Sequence, residues 1–204
     1  MADANGSRVA QLEEENRELK AEVSRLREEN RRWAKLAGTD ALTGLPNRIS
    51  FCRAFLPQTL TQSVKEGHPV GLILISPDAL WEVNESRGRE AEDQVIKGLG
   101  QLIQSLVGDE AKLGHIDGEN FCLMVYPGEL EAVRSRANMV RARVRTHEFP
   151  CGEASAQITV SAGISSVLPA EGADFKGLGE SYLRDLNQAL HSAKKAGGNR
   201  VEGT

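Results

Sequence analysis

The sequence has no excess of positive charge: 25 Lys and Arg stand against 29 Asp and Glu among 204 residues, a formal net charge of -4. Such a chain offers no general field for nucleic acid and no cationic stretch for an anionic bilayer, so any phosphate site must be local. Long apolar runs are missing as well. The longest, Val70 to Ile75, is far short of a membrane span, and the polar segment Met1 to Arg8 has none of the features of a secretory leader. Cysteine is scarce: Cys52, Cys122 and Cys151 are odd in number, widely spread and outside CxxC or other metal-ligand spacing. The expectation is a cytoplasmic protein with reduced structural thiols, no membrane anchor and no nucleic-acid partner. No internal repeat is visible. Hydrophobic residues at 40% and charged residues at 26% suit a globular chain in water, and the length admits one ordinary domain plus an appendage.

The appendage has a period. Leu12, Leu19, Leu26 and Trp33 recur every seventh residue, and Val9, Asn16, Val23, Asn30 and Ala37 repeat beside them. These are the d and a positions of a heptad. In a parallel pair the flanking contacts join Arg8 with Glu13, Glu15 with Lys20 and Glu22 with Arg27, all of opposite sign. Asparagines at a positions weaken the seam but penalise misaligned, antiparallel and higher-order alternatives. The pattern predicts a disordered segment at 1–8 and a parallel homodimeric coiled coil over 9–38, with Leu12, Asn16, Leu19, Val23, Leu26, Asn30 and Trp33 in its seam. A single amphipathic helix packed on its own domain would present a broader apolar face. A basic-region zipper needs Lys and Arg before Leu12, where only Arg8 is found.

Gly38 caps the helix and Pro46 prevents its continuation. Helix and strand patterns then alternate. Helices are expected over Ile49–Lys65, Glu90–Val107, Glu129–Arg145 and Tyr182–Ala196. Strands are expected over Val70–Ile75, Lys112–Ile116, Phe121–Tyr126 and Gln157–Ile164, with a hairpin at Asp117–Gly118 and a loop over Pro169–Gly179. This is an α/β (α+β) domain over 39–204 with a central sheet.

The segment Asp40-Ala-Leu-Thr-Gly-Leu-Pro-Asn-Arg48, after a coiled coil, resembles the Asp-x-Leu-Thr-Gly-Leu-x-Asn-Arg opening of the GGDEF, or diguanylate cyclase, family. Asp78 to Asp93 resembles its Asp-x-Phe-Lys-x-Ile-Asn-Asp-x-x-Gly-His-x-x-Gly-Asp stretch. Asp117-Gly-Glu-Asn-Phe121 lies at the signature hairpin, and Ile158 to Gly163 with Ala189 to Asn199 resembles the closing strand and helix. The resemblance covers Thr39 to Val201. It implies a polymerase-palm-like domain with a mostly antiparallel sheet flanked by helices. Active members of the family pair two GTP-loaded subunits, which condense the nucleotides to cyclic di-GMP. Carboxylates hold divalent metal there, so that a 3'-hydroxyl ionises and attacks an α-phosphate.

Carried over residue by residue, Asn84 and Asp93 stand at the guanine-reading positions, Lys194 at a triphosphate-contacting lysine and Glu119 at a metal-binding position. The departures fall on the reaction centre. Ser76 replaces a metal-binding aspartate, Asn120 a glutamate, Asp117 the first signature glycine, and Gly198 the arginine that accompanies Lys194. Trp81 and Arg89 stand where Lys and His are usual. The inhibitory Arg-x-x-Asp motif would begin at Gly108 and end at Ala111, and it is absent. Asp78 is the better placed of two carboxylates, with Asp117, to replace the lost metal ligand, but Pro77 disturbs the strand and two acidic ligands and a cation are lost together, so rescue of the metal site is not expected. As isolated residues, Lys194 reads as a helix C-terminal complement, Glu119 as a solvated carboxylate and Trp81 as a packed side chain. No shared spacing links His68, His115, His147 and His191. The expectation is a catalytically inactive, degenerate domain, not an enzyme. It would serve as a dimeric signalling or scaffold module for an unknown protein partner, taking Mg²⁺ only with GTP if nucleotide is bound. The alternatives are an active cyclase with a rearranged metal site, and a GTP or cyclic dinucleotide sensor without catalysis.

Overall fold

The computed structural model describes residues 2–108, 111–152, 154–173, 175 and 178–203, with the side chains of 1–11, 13 and 31–37 outside the description. The chain divides into two compact units, Met1–Ala37 and Gly38–Thr204. The first unit is one 36-residue helix, α1 (Ala2–Ala37). Residues 1–8, expected to be disordered, are therefore helical from Ala2: no proline interrupts them, and the long helix behind them supplies the nucleus that a short segment lacks. Leu12, Leu19, Val23 and Leu26 lie open to solvent in the single chain, at 52%, 60%, 44% and 48% exposure. Trp33, the last residue of the expected seam, lies outside the described side chains.

In the second unit, a short helix α2 (Arg48–Ser50), a π-helical segment (Phe51–Phe55) and α3 (Leu56–Glu66) run on continuously where one helix was expected. Then come β1 (Val70–Pro77), α4 (Leu80–Arg87), α5 (Arg89–Val107), β2 (Lys112–Asp117), β3 (Asn120–Val125) and α6 (Leu130–Thr146). The chain continues through β4 (Phe149–Cys151), β5 (Ala154–Ala156), β6 (Val160–Val167), α7 (Leu178–Lys195) and β7 (Val201–Gly203). The main sheet has the order β2-β3-β1-β6-β7, and β4 pairs only with β5. Every contact in the main sheet is antiparallel except that of β6 with β7.

β1 is the centre of this arrangement. Its VGLILISP run is buried at every position because helices cover both faces of the sheet. Ile73 and Ile75 join Leu80, Val95, Leu99, Val133 and Val140 in one core, placing α4, α5 and α6 on one face. Leu72 and Leu74, of opposite parity, join Phe51, Leu56, Leu183 and Leu186 on the other. Burial raises the thiols of Cys52, to about 11, and Cys122, as suits inert structural cysteines. Among the described residues, no helix is long and apolar enough to cross a membrane.

Three features exceed the sequence expectations: α4, the β4-β5 hairpin and β7. α4 begins after Ala79 in the left-handed region at φ 50° and has only Leu80 and Val83 buried, so little periodicity marks it. β4 and β5 are three residues each with Pro150 among them, and β7 is equally short. Conversely, the final strand begins at Val160 rather than Gln157, and α7 begins at Leu178, inside the segment read as a loop.

Candidate functional site

The turn that opens the globular unit is built by its own side chains. Asp40 Oδ1 accepts from Leu42 N at 3.1 Å, Thr43 N at 2.9 Å and Thr43 Oγ1 at 2.9 Å, while Gly44 turns the chain at φ 72°. Asn47 Oδ1 then caps the following helix by accepting from Ser50 N. Burial acts to raise the Asp40 carboxyl, but His115 and the Thr43 donors together hold it down to about 2. The buried His115 stacks on Phe121, with Nδ1 2.8 Å from Asp40 Oδ1 and Nε2 2.9 Å from Gly118 O. The Nδ1 approach is a close polar contact outside good hydrogen-bond alignment. One imidazole thus joins the opening turn to the tip of the β2-β3 hairpin.

That hairpin carries the altered signature. Asp117 pairs across the turn with Asn120, and Gly118 sits at φ 40°. Phe121 is completely buried, so the last signature residue belongs to the core. The residues between face a polar cluster. Asn120 Nδ2 donates to Asp117 Oδ1, and Arg48 Nη1 lies 3.4 Å from Asp117 Oδ2. Arg48 also grips Glu180, in the first turn of α7, through Nε and Nη2, and this holds the Glu180 carboxyl below its ordinary range. Glu119 Oε1 accepts from Ser76 Oγ and from Lys194 Nζ, both at 3.0 Å. Ser76, the penultimate residue of β1, is 1% exposed, and Lys194 comes from the last turn of α7.

The structure corrects two readings here. Lys194 does not merely complement its helix terminus, and Glu119 is not simply solvated. The packing of α7 against β6 and β1 brings the lysine over the hairpin, where the two charges pair. Asp78 is not directed to Glu119's metal position. Its carboxylate accepts from Thr159 Oγ1 and Ser161 Oγ, each at 2.7 Å, and from Asn199 N at 2.8 Å. All three partners belong to β6, the residue before it, or the loop after α7. Gly198 lies in that loop at φ 71°, where a β-carbon would come within 3.0 Å of the Asp78 carboxyl. The sequence reading gave no role to Thr159, Ser161 and Arg48, although all three lie in the segments that carry the resemblance; their partners come from distant parts of the chain.

Asn84, on α4, is exposed, and its amide donates to Glu92 Oε2 in the first turn of α5; Asp93, the next residue, is half-buried. Glu92 was also missed, although it stands at a glycine of the family's pattern and so had a signal. Trp81, expected to pack, is 60% exposed, because α4 turns only Leu80 and Val83 inward. Among the described residues, no three His, Cys, Asp or Glu side chains converge as a metal-binding group.

The family described as "Diguanylate cyclase, GGDEF domain" matches residues 37–200. Diguanylate cyclase DgcP of Pseudomonas aeruginosa is 29% identical over 164 residues, 80% of this chain and 23% of that protein. A diguanylate cyclase of Vibrio cholerae is 30% identical over 166 residues, 81% of this chain and 49% of that protein. The chain thus spans less than half the length of either relative. The crystal structure of the coiled coil and GGDEF domain of DgcB from Caulobacter crescentus, in complex with c-di-GMP, superposes with a TM-score of 0.72 at 25% identity. It covers 95% of this chain and 99% of that one. With the opening turn and the signature hairpin in their expected places and the family match spanning most of the chain, the chain belongs to the GGDEF domain family.

Proposed function

We propose that this chain is a catalytically inactive GGDEF domain serving as a dimeric signalling or scaffold module through protein contacts. One observation carries the reading: Ser76 and Lys194 both donate to the same oxygen of Glu119. In-line phosphoryl attack needs hard anionic ligands for a divalent cation and free cations for the triphosphate. Here a serine hydroxyl replaces one ligand, and the lysine is committed to the remaining carboxylate. The donor set does not fit Mg²⁺, because an ammonium already neutralises the oxygen that the metal would need. Across the turn, Asp117 sets a carboxylate where phosphate would approach; Arg48 pairs with it and Asn120 Nδ2 donates to it.

The proposed dimer rests on α1. An apolar stripe of Leu12, Leu19, Val23 and Leu26 between charged faces is satisfied by pairing with a second helix. The proposed protein partner and a cytoplasmic location follow from the same reading. GTP and its accompanying Mg²⁺ are weaker candidates, since the Asn84 amide is committed to Glu92.

Incubating purified chain with GTP and Mg²⁺ or Mn²⁺ and separating nucleotides by chromatography tests the catalytic reading. The expected result is no cyclic di-GMP above a protein-free control, and product above it overturns the proposal. Calorimetric titration with GTP and then cyclic di-GMP distinguishes a scaffold, which gives no heat, from a nucleotide sensor, whose heat falls on Asp93→Ala.

A further inference from the structure

The net negative charge of the chain conceals a division within its globular unit. α6 carries Arg134, Arg136, Arg141, Arg143 and Arg145 against the lone Glu131. Two of these arginines are occupied at home: Arg134 Nη2 donates to Gly203 O at 3.1 Å, and Arg141 Nη1 to Asn199 Oδ1 at 3.1 Å. Among the described residues, Arg136, Arg143 and Arg145 make no ion pair. Arg136, Met139 and Arg143 fall at i, i+3 and i+7, so they form one stripe along the helix. Met139 in its middle is 39% exposed, and the neighbouring Ala132 and Ala142 are small and exposed. A cationic stripe around an accessible thioether is an unusual surface for an acidic protein to leave bare.

The opposite charge lies on neighbouring elements. Between Glu82 and Asp93 the chain presents Glu82, Glu85, Glu90, Glu92 and Asp93 against Arg87 and Arg89. Arg87, exposed, donates to Cys151 Sγ at 2.9 Å and Ser155 O at 2.7 Å and Arg89 is exposed as well, which leaves five carboxylates against two guanidiniums and a net acidic segment. Trp81, 60% exposed, lies at the start of this acidic segment. The apolar faces of α4, α5 and α6 enter one core, so the acidic and basic regions lie on the same side of the sheet. Two complementary patches on one side allow an isologous contact, in which each copy's basic helix meets the other's acidic segment and the assembly closes at two.

We infer that the outer face of α6 docks on the α4-α5 surface of a second copy of this chain in a closed two-fold contact. Arg136 and Arg143 face Glu82 and Glu85 of the partner subunit. The partner's Trp81 supplies the aromatic anchor, against which an arginine and the Met139 thioether both pack favourably. The contact is separate from the heptad seam and independent of whether the hairpin holds metal.

The two dimer contacts are separable by salt, because an exposed charge contact is screened and an apolar seam is not. Sedimentation velocity on the full chain carrying Leu19→Lys and Leu26→Lys, which open the seam, isolates the second contact. The expected result is a dimer at low ionic strength whose Kd rises at least about tenfold by about 0.5 M salt. Adding Arg136→Glu and Arg143→Glu yields a monomer, and further adding Glu82→Arg and Glu85→Arg restores the dimer. A seam-opened chain that is monomeric at every salt concentration overturns the proposal, as does a dimer indifferent to the α6 reversals. Failure of the compensating reversals, or assemblies larger than two, also overturns it. Should the reversals lower the thermal midpoint, Arg136→Gln and Arg143→Gln give the same test with less charge change and are expected to weaken the dimer in the same direction. Retention of single-stranded RNA by the α6 arginines without self-association identifies a different occupant and sinks the inference.

Discussion

The opening turn, Asp40 to Arg48, and the signature hairpin, Asp117 to Phe121, are joined by one histidine yet differ in what their polar residues serve. In the turn, Asp40, Thr43 and Asn47 bond to backbone and to one another, so the residue types that mark the family also build the loop. At the hairpin, two residues with no carboxylate donate to its two carboxylates: Ser76, from β1, to Glu119 and Asn120 to Asp117. A polar group that holds the fold has few acceptable substitutes. A group whose partner was an external cation can be replaced when a neighbour supplies the donor instead.

The comparison breaks most sharply at Phe121, which lies in the hairpin but serves the fold. Phe121→Ala is expected to cost about 3–5 kcal/mol by urea unfolding, through lost burial and the cavity left beside His115. Ser76→Asp asks whether the hairpin has kept its capacity for metal. Placing a second carboxylate in that buried position beside Glu119 should destabilise the chain by about 1–3 kcal/mol. Mn²⁺ should then raise the variant's thermal midpoint while leaving the parent's unchanged. Equal response of the two chains would place the obstacle elsewhere than at Ser76.

Asp40→Ala tests the turn and is expected to cost about 1–2 kcal/mol, because the Thr43 and Leu42 donors lose their common acceptor in a half-buried loop. The pH dependence has a defined sign. The Asp40 carboxyl lies near 2 in the folded chain against an ordinary 3.8, so the unfolded chain binds the proton more readily. Its contribution is full above about pH 4 and disappears as pH falls through about 2; Asp40→Ala should flatten the acid limb of stability in that window. The smallest effect is expected at the Glu119–Lys194 pair, whose side chains are each about one-third exposed. Lys194→Met should change stability by about 0–1 kcal/mol in the same urea assay.

Much of the fold was legible because it is written in local chemistry. The Val70–Ile75 run, the Asp-Gly turn and the helix patterns each report a segment's own preference, and their order constrains the sheet. What was hidden depends on partners far along the chain. β7 is three residues paired to β6, and α4 lacks a clear apolar stripe. The replacement at Ser76 was visible as a loss, but its meaning as a donor required Glu119 and Lys194 to be brought together from separate elements. Asp78 shows the same dependence: its spacing from Ser76 made it only a geometric candidate for the metal site, and its actual partners, Thr159 and Ser161, are set by strand register.

The loop after α7 constrains which side chains position 198 can accept. Gly198 occupies a left-handed backbone position against the Asp78 carboxyl, while Asp78 accepts the adjacent Asn199 N–H. An arginine introduced there meets backbone strain and a blocked β-carbon before its guanidinium can reach a ligand. Changing Ser76, Asp117 and Asn120 alone would leave this position as it is. To admit a larger side chain at 198, Asp78 would have to give way, and with it the contact that anchors the closing loop to β6.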